Sequence, residues 1–324
     1  MKKKKKHPIK YLKYKGRFGH PINFRSERPD DIVFEGYLGV YNEDAFEKMI
    51  NAFNAALENS DRVLDMRQIK GISIDGGLLL KAFYEEYQIK HRQKPQIKGP
   101  QDKKMRAVLN YLEIANYQDV KNLHFPDIEC WKILSWDDAS STDIHIGKML
   151  SEDIIPNFWK GKHTLSANSA DIATSVSEAF YNCKEHAYTG GKEFSYFKRW
   201  YLGVGDYPNS NKFSFNIYDK GVGIKERLKA KPDGWLDKAS DWLKSDSGMI
   251  ELATKGKRGA TEGRGKGLKF AIEQLTKNNG EIDIYSEHGY FSTNDRKSGI
   301  DRYPRLEGTL VSFSFPVEYI EVED

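Results

Sequence analysis

The stretch Asp171-Ile172-Ala173-Thr174-Ser175-Val176-Ser177-Glu178-Ala179-Phe180-Tyr181-Asn182-Cys183-Lys184-Glu185-His186-Ala187-Tyr188 decides how this chain is read. Ile172, Val176, Phe180, Cys183 and Ala187 recur every three or four residues, which predicts one buried helical stripe. Asp171 stands where it can cap the start of that helix. Glu178, Asn182 and His186 are spaced by four, so they are expected on a second, polar face. A carboxylate, an amide and an imidazole in one row can divide a phosphoryl-transfer task. The carboxylate polarises an attacking hydroxyl or water, the amide oxygen binds a hard cation, and the imidazole contacts phosphate. The same row also suits a solvated helix face and decides nothing alone.

Three further elements follow. In Lys212 to Tyr218, Phe213, Phe215 and Ile217 alternate with polar residues, the pattern of a half-buried strand. It ends at Asp219-Lys220-Gly221-Val222-Gly223-Ile224, where an acid can bond a base edge and glycines let the backbone approach a ligand; a plain turn after a strand reads the same way. Next comes Gly263-Arg264-Gly265-Lys266-Gly267-Leu268, running into the apolar positions Leu268, Ala271, Ile272 and Leu275. Alternate glycines at a helix start offer backbone N–H groups to an anion. Between Lys255 and Lys269 six basic residues face a single acid, Glu262. The spacing is neither a Walker A loop nor a dinucleotide fingerprint. Finally Glu307 to Pro316 reads as a strand, with Leu310, Ser312 and Ser314 alternating against Val311, Phe313 and Phe315.

In this order the four elements resemble the GHKL ATPase superfamily, whose Bergerat ATP-binding fold is a two-layer α/β sandwich. The resemblance spans roughly residues 144–317. Glu178 to Asn182 with His186 matches the N box, Asp219-x-Gly221-x-Gly223 the first glycine box, Gly263-x-Gly265-x-Gly267 the second, and Gly308-Thr309 the last strand motif. It implies Glu178 as general base, Asn182 as ligand of the Mg²⁺ on the phosphates, and His186 near the phosphates. It implies Asp219 as acceptor for the adenine amino group, supported by Thr309, with Gly221 and Gly223 flooring the base pocket. Gly263, Gly265 and Gly267 would wrap the triphosphate, Arg264 and Lys266 would neutralise it, and residues 225–262 would form a mobile lid. Lys220 stands where the family commonly has asparagine, and is expected to point to solvent.

The 324 residues correspond to about two domains. The formal charge of +4 comes from 51 basic and 47 acidic residues, but nine of the basic ones lie in Met1 to Arg17 with no acid among them. The other 307 residues carry 42 basic against 47 acidic groups, a net −5. A basic tail, expected to stay solvated and disordered, precedes a mildly acidic body that is not expected to bind nucleic acid. A salt-sensitive grip of the tail on nucleic acid or an anionic membrane is the other reading. At 39% hydrophobic residues the chain can bury a core. It has no apolar run long enough for a bilayer span, no signal-peptide pattern, and two cysteines, Cys130 and Cys183, too few for a disulfide framework or zinc site. The expectation is a cytoplasmic protein.

Residues 18–136 alternate strand and helix patterns. Phe34 to Tyr41 and Arg62 to Met66 read as strands, Phe46 to Leu57 and Leu78 to Tyr87 as helices, and Met105 to Ala115 as a third helix. Residues 90–104 read as a loop. Alternation argues for an α/β sandwich with helices on one face of a sheet. Val63-Leu64-Asp65, the Ile72 to Gly77 turn and Leu109 to Ala115 are similar to STAS domains, the fold of anti-anti-sigma factors. That likeness puts Asp75 where such proteins present a phosphorylatable serine, although a turn aspartate before glycine needs no function. The expected organisation is a tail at 1–17, a STAS-like regulatory domain at 18–136, a linker at 137–153 and the ATP-binding domain at 154–324.

The wording around Glu178 is most similar to the anti-sigma-factor serine kinases. The resemblance implies ATP and Mg²⁺ as cofactors, ATP hydrolysis or serine/threonine protein phosphorylation as activity, and a regulatory protein as partner in a partner-switching or signalling module. The alternative is a non-catalytic, ATP-gated interaction switch. The pathway and the oligomeric state, a homodimer included, stay open.

Overall fold

The computed structural model describes residues 31–40, 43–121, 131–137, 152, 163–165, 169–188, 199–207, 211–229, 245–255, 267–294, 301 and 303–319. The fold class is mixed α/β, and the chain divides into two compact units, Met1–Leu123 and His124–Asp324. Among the described residues no helix is long and apolar enough to cross a membrane.

In the first unit, β1 (Asp31–Leu38), β2 (Val63–Ile72) and β3 (Gln96–Lys98) form a parallel sheet in that order. The crossovers are α1 (Glu43–Glu58) and α2 (Ile74–His91), and α3 (Lys103–Tyr111) follows β3. Parallel neighbours need crossover connections, and α1 and α2 supply them. Phe46, Met49, Phe53 and Leu57 of α1 are buried as their spacing predicted. Phe53 stacks on Phe83 of α2 with ring centroids 4.3 Å apart, and Phe83 meets Tyr87 edge-on. Two expectations change here. The glycines of Ile72 to Gly77 are not a free turn but lie inside the first turn of α2, which Ser73 caps by accepting from Gly76 N–H at 3.3 Å. The polar segment expected as a loop contains β3, whose Lys98 reaches the buried Asp31 carboxylate at 2.8 Å.

The second unit is one antiparallel sheet. Its order is β4 (Trp131–Asp137), β6 (Arg199–Tyr207), β7 (Lys212–Asp219), β10 (Leu306–Tyr319), β8 (Glu281–Glu287), β9 (Gly289–Ser292), with β5 (His163–Leu165) on the far end of β10. The helices are α4 (Ser169–Asn182), α5 (Gly223–Lys229), α6 (Asp246–Lys255) and α7 (Gly267–Lys277). Ile172, Val176, Phe180 and Cys183 from α4 and its continuation pack with Ala271 and Leu275 of α7 onto Phe213, Phe215 and Ile217 of β7 and Val311, Phe313 and Phe315 of β10. Period-2 strands thus meet period-3.6 helices along one apolar layer.

The division of the chain was expected after residue 136, but Trp131–Asp137 pairs with β6 across its whole length, so that segment belongs to the second sheet. Most of the linker expected at 137–153, and the tail at 1–17, lie outside the described residues. Asp171 is not a cap: α4 begins at Ser169, and the Asp171 carboxylate instead accepts from Asn278 at 3.1 Å and from Lys277 at 3.4 Å. Those bonds tie the start of α4 to the end of α7, so the two helices run antiparallel.

Candidate nucleotide site

Glu178 and Asn182 stand one turn apart on α4, both half-buried. The start of α7 comes up against them. A Cβ on Gly267 would overlap the Glu178 carboxylate and would stand 3.8 Å from the Asn182 amide nitrogen. Only a glycine lets the helix start approach this closely, so the first backbone N–H groups of α7 end near a carboxylate and an amide. Among the described residues neither the Glu178 carboxylate nor the Asn182 amide has a hydrogen-bond partner. Burial, with a smaller push from the Glu185 charge, raises the Glu178 carboxyl above its ordinary value.

After Asn182 the helix widens. Cys183–Ala187 form a π turn, a one-turn feature that often marks functional positions. Wider turns break the four-residue repeat that stacks positions on an α-helix. Of the expected row, Glu178 and Asn182 lie on α4 and His186 falls in the π turn. The His186 side chain lies outside what is described. The π turn turns two groups toward the end of β7. The Cys183 thiol donates to Asp219 Oδ2 at 3.4 Å, and the Ala187 carbonyl accepts from Val222 N–H at 2.8 Å. A side chain at Gly221 would overlap that same carbonyl, so the residue must be glycine for the turn to dock.

Asp219 is 4% exposed. Its Oδ1 accepts from Gly221 N–H at 2.8 Å, and burial pushes its carboxyl up to about 6 despite the two hydrogen bonds. In the sheet it stands between Trp200 of β6 and Thr309 of β10. Thr309 is thus its cross-strand neighbour, but the Thr309 hydroxyl lies 3.3 Å from Ser286 Oγ, and among the described residues no bond joins it to Asp219. Ser286 also donates to the Gly308 carbonyl and accepts from Ile224 N–H, each at 3.0 Å, so it ties β8, β10 and the start of α5 together. Gly223, at φ +77°, opens α5.

The structure therefore brings Glu178, Asn182, Asp219, Gly221, Gly223, Gly267 and Thr309 onto one end of the second sheet and its helices. Gly263, Arg264, Gly265 and Lys266 lie outside the described residues. Lys220 is a correction: rather than pointing to solvent, its side chain is 12% exposed and its Nζ meets Glu307 at 3.1 Å. Residues 225–262 are not one mobile lid either. Within them α5 is folded, and α6 carries Met249 and Ile250 at 1% exposure. Asp301 caps the start of α6 by accepting from Asp246 N–H and Ser247 N–H at 3.0 and 2.8 Å. The remaining lid residues, 230–244 and 256–262, lie outside those described.

Sequence reading missed Cys183, Tyr188 and Ser286 as parts of the site. Cys183 falls in the apolar stripe and reads as core. Tyr188 takes Lys220 N–H at 3.2 Å and donates to the Arg199 carbonyl, and only the fold brings those strand ends to it. Ser286 belongs to no motif; its role follows from strand register alone.

Among the described residues no three His, Cys, Asp or Glu side chains form a metal cage. The Asn182 amide oxygen, beside a partnerless carboxylate, fits a cation that keeps most of its shell as water and phosphate oxygens, the habit of Mg²⁺. No protein-family model matches the chain, and no curated protein does so either.

Proposed function

We propose that the second unit is a GHKL-type ATP-binding domain of the Bergerat fold. It would use Mg-ATP for hydrolysis or for serine/threonine protein phosphorylation in a partner-switching or signalling module. One observation carries the reading: two consecutive residues, Asn182 and Cys183, adjoin Gly267 at the start of α7 and Asp219 at the end of β7. Asn182 stands beside Gly267 at the start of α7, where a phosphate would meet free backbone N–H groups. Cys183 touches Asp219, a buried acceptor suited to an adenine amino group.

In this reading Glu178 takes the proton of the attacking hydroxyl or water, and burial, which raises its carboxyl, makes it a stronger base than an ordinary carboxylate. Asn182 would hold Mg²⁺, which when bound neutralises phosphate charge. The backbone at Gly267 orients the phosphates, with Gly263, Gly265, Arg264, Lys266 and His186 proposed to assist. Asp219, Gly221, Gly223 and Thr309 hold the base. The first unit, a parallel βαβ fold, would be the STAS-like regulatory domain, and a regulatory protein the partner. The cell compartment proposed is the cytoplasm.

The test is ATP turnover and phosphotransfer by wild type beside Glu178→Ala. Loss of a general base is expected to lower the rate about 10²- to 10⁴-fold while nucleotide still binds. Equal rates in the two proteins reject the assignment of Glu178. Nucleotide binding with no turnover in wild type favours the gated switch, which the buried face of α6 supports less well than a free lid would.

A further inference from the structure

The Asp219 carboxylate is held on both of its oxygens by groups from two different elements. Gly221 N–H, from the turn that ends β7, reaches Oδ1 at 2.8 Å. The Cys183 thiol, from the π turn that ends α4, reaches Oδ2 at 3.4 Å. A carboxylate bonded on one oxygen can still rotate about its last side-chain torsion, which is broad and weakly biased. A second donor on the other oxygen stops that rotation. Each oxygen has more than one acceptor direction, so a ligand amino group can still be accepted.

Cys183 is 5% exposed and its Sγ lies 3.4 Å from an Asp219 oxygen, and a buried thiol beside a carboxylate keeps its proton. It is therefore a protonated donor and not a nucleophile or a redox centre. The other groups around Asp219 are few. Tyr188 of the same turn is raised by burial and by the Asp219 charge, so it stays a neutral phenol. Lys220, the next residue, is engaged by Glu307. The cross-strand neighbours Trp200 and Thr309 are uncharged.

We propose that Cys183 is a positioning residue: its S–H fixes the orientation of the Asp219 carboxylate, and thereby the site's preference for a base with an amino group at C6, adenine, over one with a carbonyl there, guanine. The proposal rests on the nucleotide reading given above and adds to it the residue that sets base selectivity. The spacing of the stripe accounts for Cys183 being buried, but not for a polar hydrogen at this one position of it. Alanine or valine would fill the stripe equally well.

Three proteins test it: wild type, Cys183→Ala and Cys183→Ser. The first readout needs no nucleotide. Carbon-13 NMR of the Asp219 carboxyl is expected to titrate near pH 6 in wild type, to move upward in Cys183→Ala, and to return toward wild type in Cys183→Ser, whose hydroxyl restores a donor. An unchanged titration in Cys183→Ala overturns the proposal. The second readout is affinity for fluorescent ADP and GDP analogues at pH 7.5. Losing one hydrogen bond to a charged group is expected to weaken ADP binding about 5- to 20-fold and to leave GDP little changed, so the ratio between them narrows. Serine is expected to recover most of the ratio. Equal ratios in wild type and Cys183→Ala overturn the proposal. Wild type that binds neither analogue sinks the nucleotide reading instead, and the carboxyl titration still decides whether Cys183 positions Asp219. A merely structural cysteine would lower thermal stability in Cys183→Ala without moving either readout.

Discussion

Each unit buries an aspartate where a strand gives way to a helix, ahead of a glycine: Asp75 in Ser73-Ile74-Asp75-Gly76-Gly77 and Asp219 in Asp219-Lys220-Gly221-Val222-Gly223. On paper the two are alike. Both side chains are nearly inaccessible, 1% and 4% exposed, and both carboxyls are raised above their ordinary value by burial. Their partners differ. Asp75 sits in the first turn of α2 and accepts from Val40 N–H at 2.6 Å, while its other oxygen is buried with no hydrogen-bond partner among the described residues. The chain closes around it, with Ser73 bonded to the Leu38 carbonyl and Gly76 against that same carbonyl. Asp75 thus joins β1 to α2 inside the first unit and displays no charge at a surface, contrary to what a fixed stand-in for a phosphoserine would need. Asp219 has both oxygens held by donors from separate elements, and one of them, Cys183, directly follows Asn182 in the chain. The same local motif is a structural tie in one unit and the floor of the proposed nucleotide site in the other.

The adjoining glycines give the strongest test of that comparison. A Cβ at Gly76 would enter the Leu38 carbonyl, and one at Gly221 the Ala187 carbonyl; backbone cannot yield as a flexible side chain would. Gly76→Ala and Gly221→Ala are each expected to cost about 3 kcal/mol. Hydrogen exchange should quicken in β1 and β2 for the first variant and in β6 and β7 for the second. Uniform exchange across both sheets in either variant would break the assignment of each aspartate to its own unit.

Removing the charges separates the two sites further. The Asp219 carboxyl stands near 6 in the folded protein against an ordinary value of 3.8. Between those values the folded state holds a proton that the unfolded state releases, so stability falls as pH rises from about 4 to about 6. Above pH 6 the deficit is constant, of the order of 3 kcal/mol for about two pH units. Asp219→Asn is expected to recover about 1–3 kcal/mol of it at pH 7, an advantage that fades as pH falls toward 4, read from urea unfolding at both pH values. The same change should cost ADP affinity at least tenfold, since an amide cannot both accept from Gly221 N–H and face an amino group with an oxygen. Asp75→Asn has the same sign on stability and is expected to leave nucleotide binding alone. Weaker nucleotide binding in Asp75→Asn would erase the distinction between the two aspartates.

The smallest effect is expected at Lys220. Its pair with Glu307 spans the ends of β7 and β10, but Glu307 is 56% exposed, so Lys220→Ala should cost less than about 1 kcal/mol. A larger loss, measured by thermal unfolding, would mean that the strand ends beside Asp219 depend on this ion pair rather than on backbone pairing.

Much of the fold was legible because it rests on local periodicity. The stripe Ile172, Val176, Phe180 and Cys183 and the alternation of Phe213, Phe215 and Ile217 each predicted the face that is buried. Segments without such a rhythm were read less well. Gln96–Lys98 is too short to show alternation, and the start of α2, where every residue from Ile74 to Leu80 is buried, carries no periodic pattern. Asp171 looked like a cap because caps and helix-to-helix ties draw on the same residue types. Lys220 looked solvent-facing because its partner Glu307 lies 87 positions away in the chain.

The order and chemistry of the four site elements, the apolar faces of their helices and strands, and the uneven placement of charge were set by the sequence itself, since each depends on neighbours within a turn or two. Tertiary structure alone decided that the helix opens into a π turn after Asn182, that Thr309 pairs with Asp219 while its hydroxyl meets Ser286, and that a cysteine from the core stripe becomes the second donor to a buried carboxylate. Local spacing assigns a residue to a face. Which distant group that face meets is settled by strand register and helix packing, where a shift of one residue would exchange every contact.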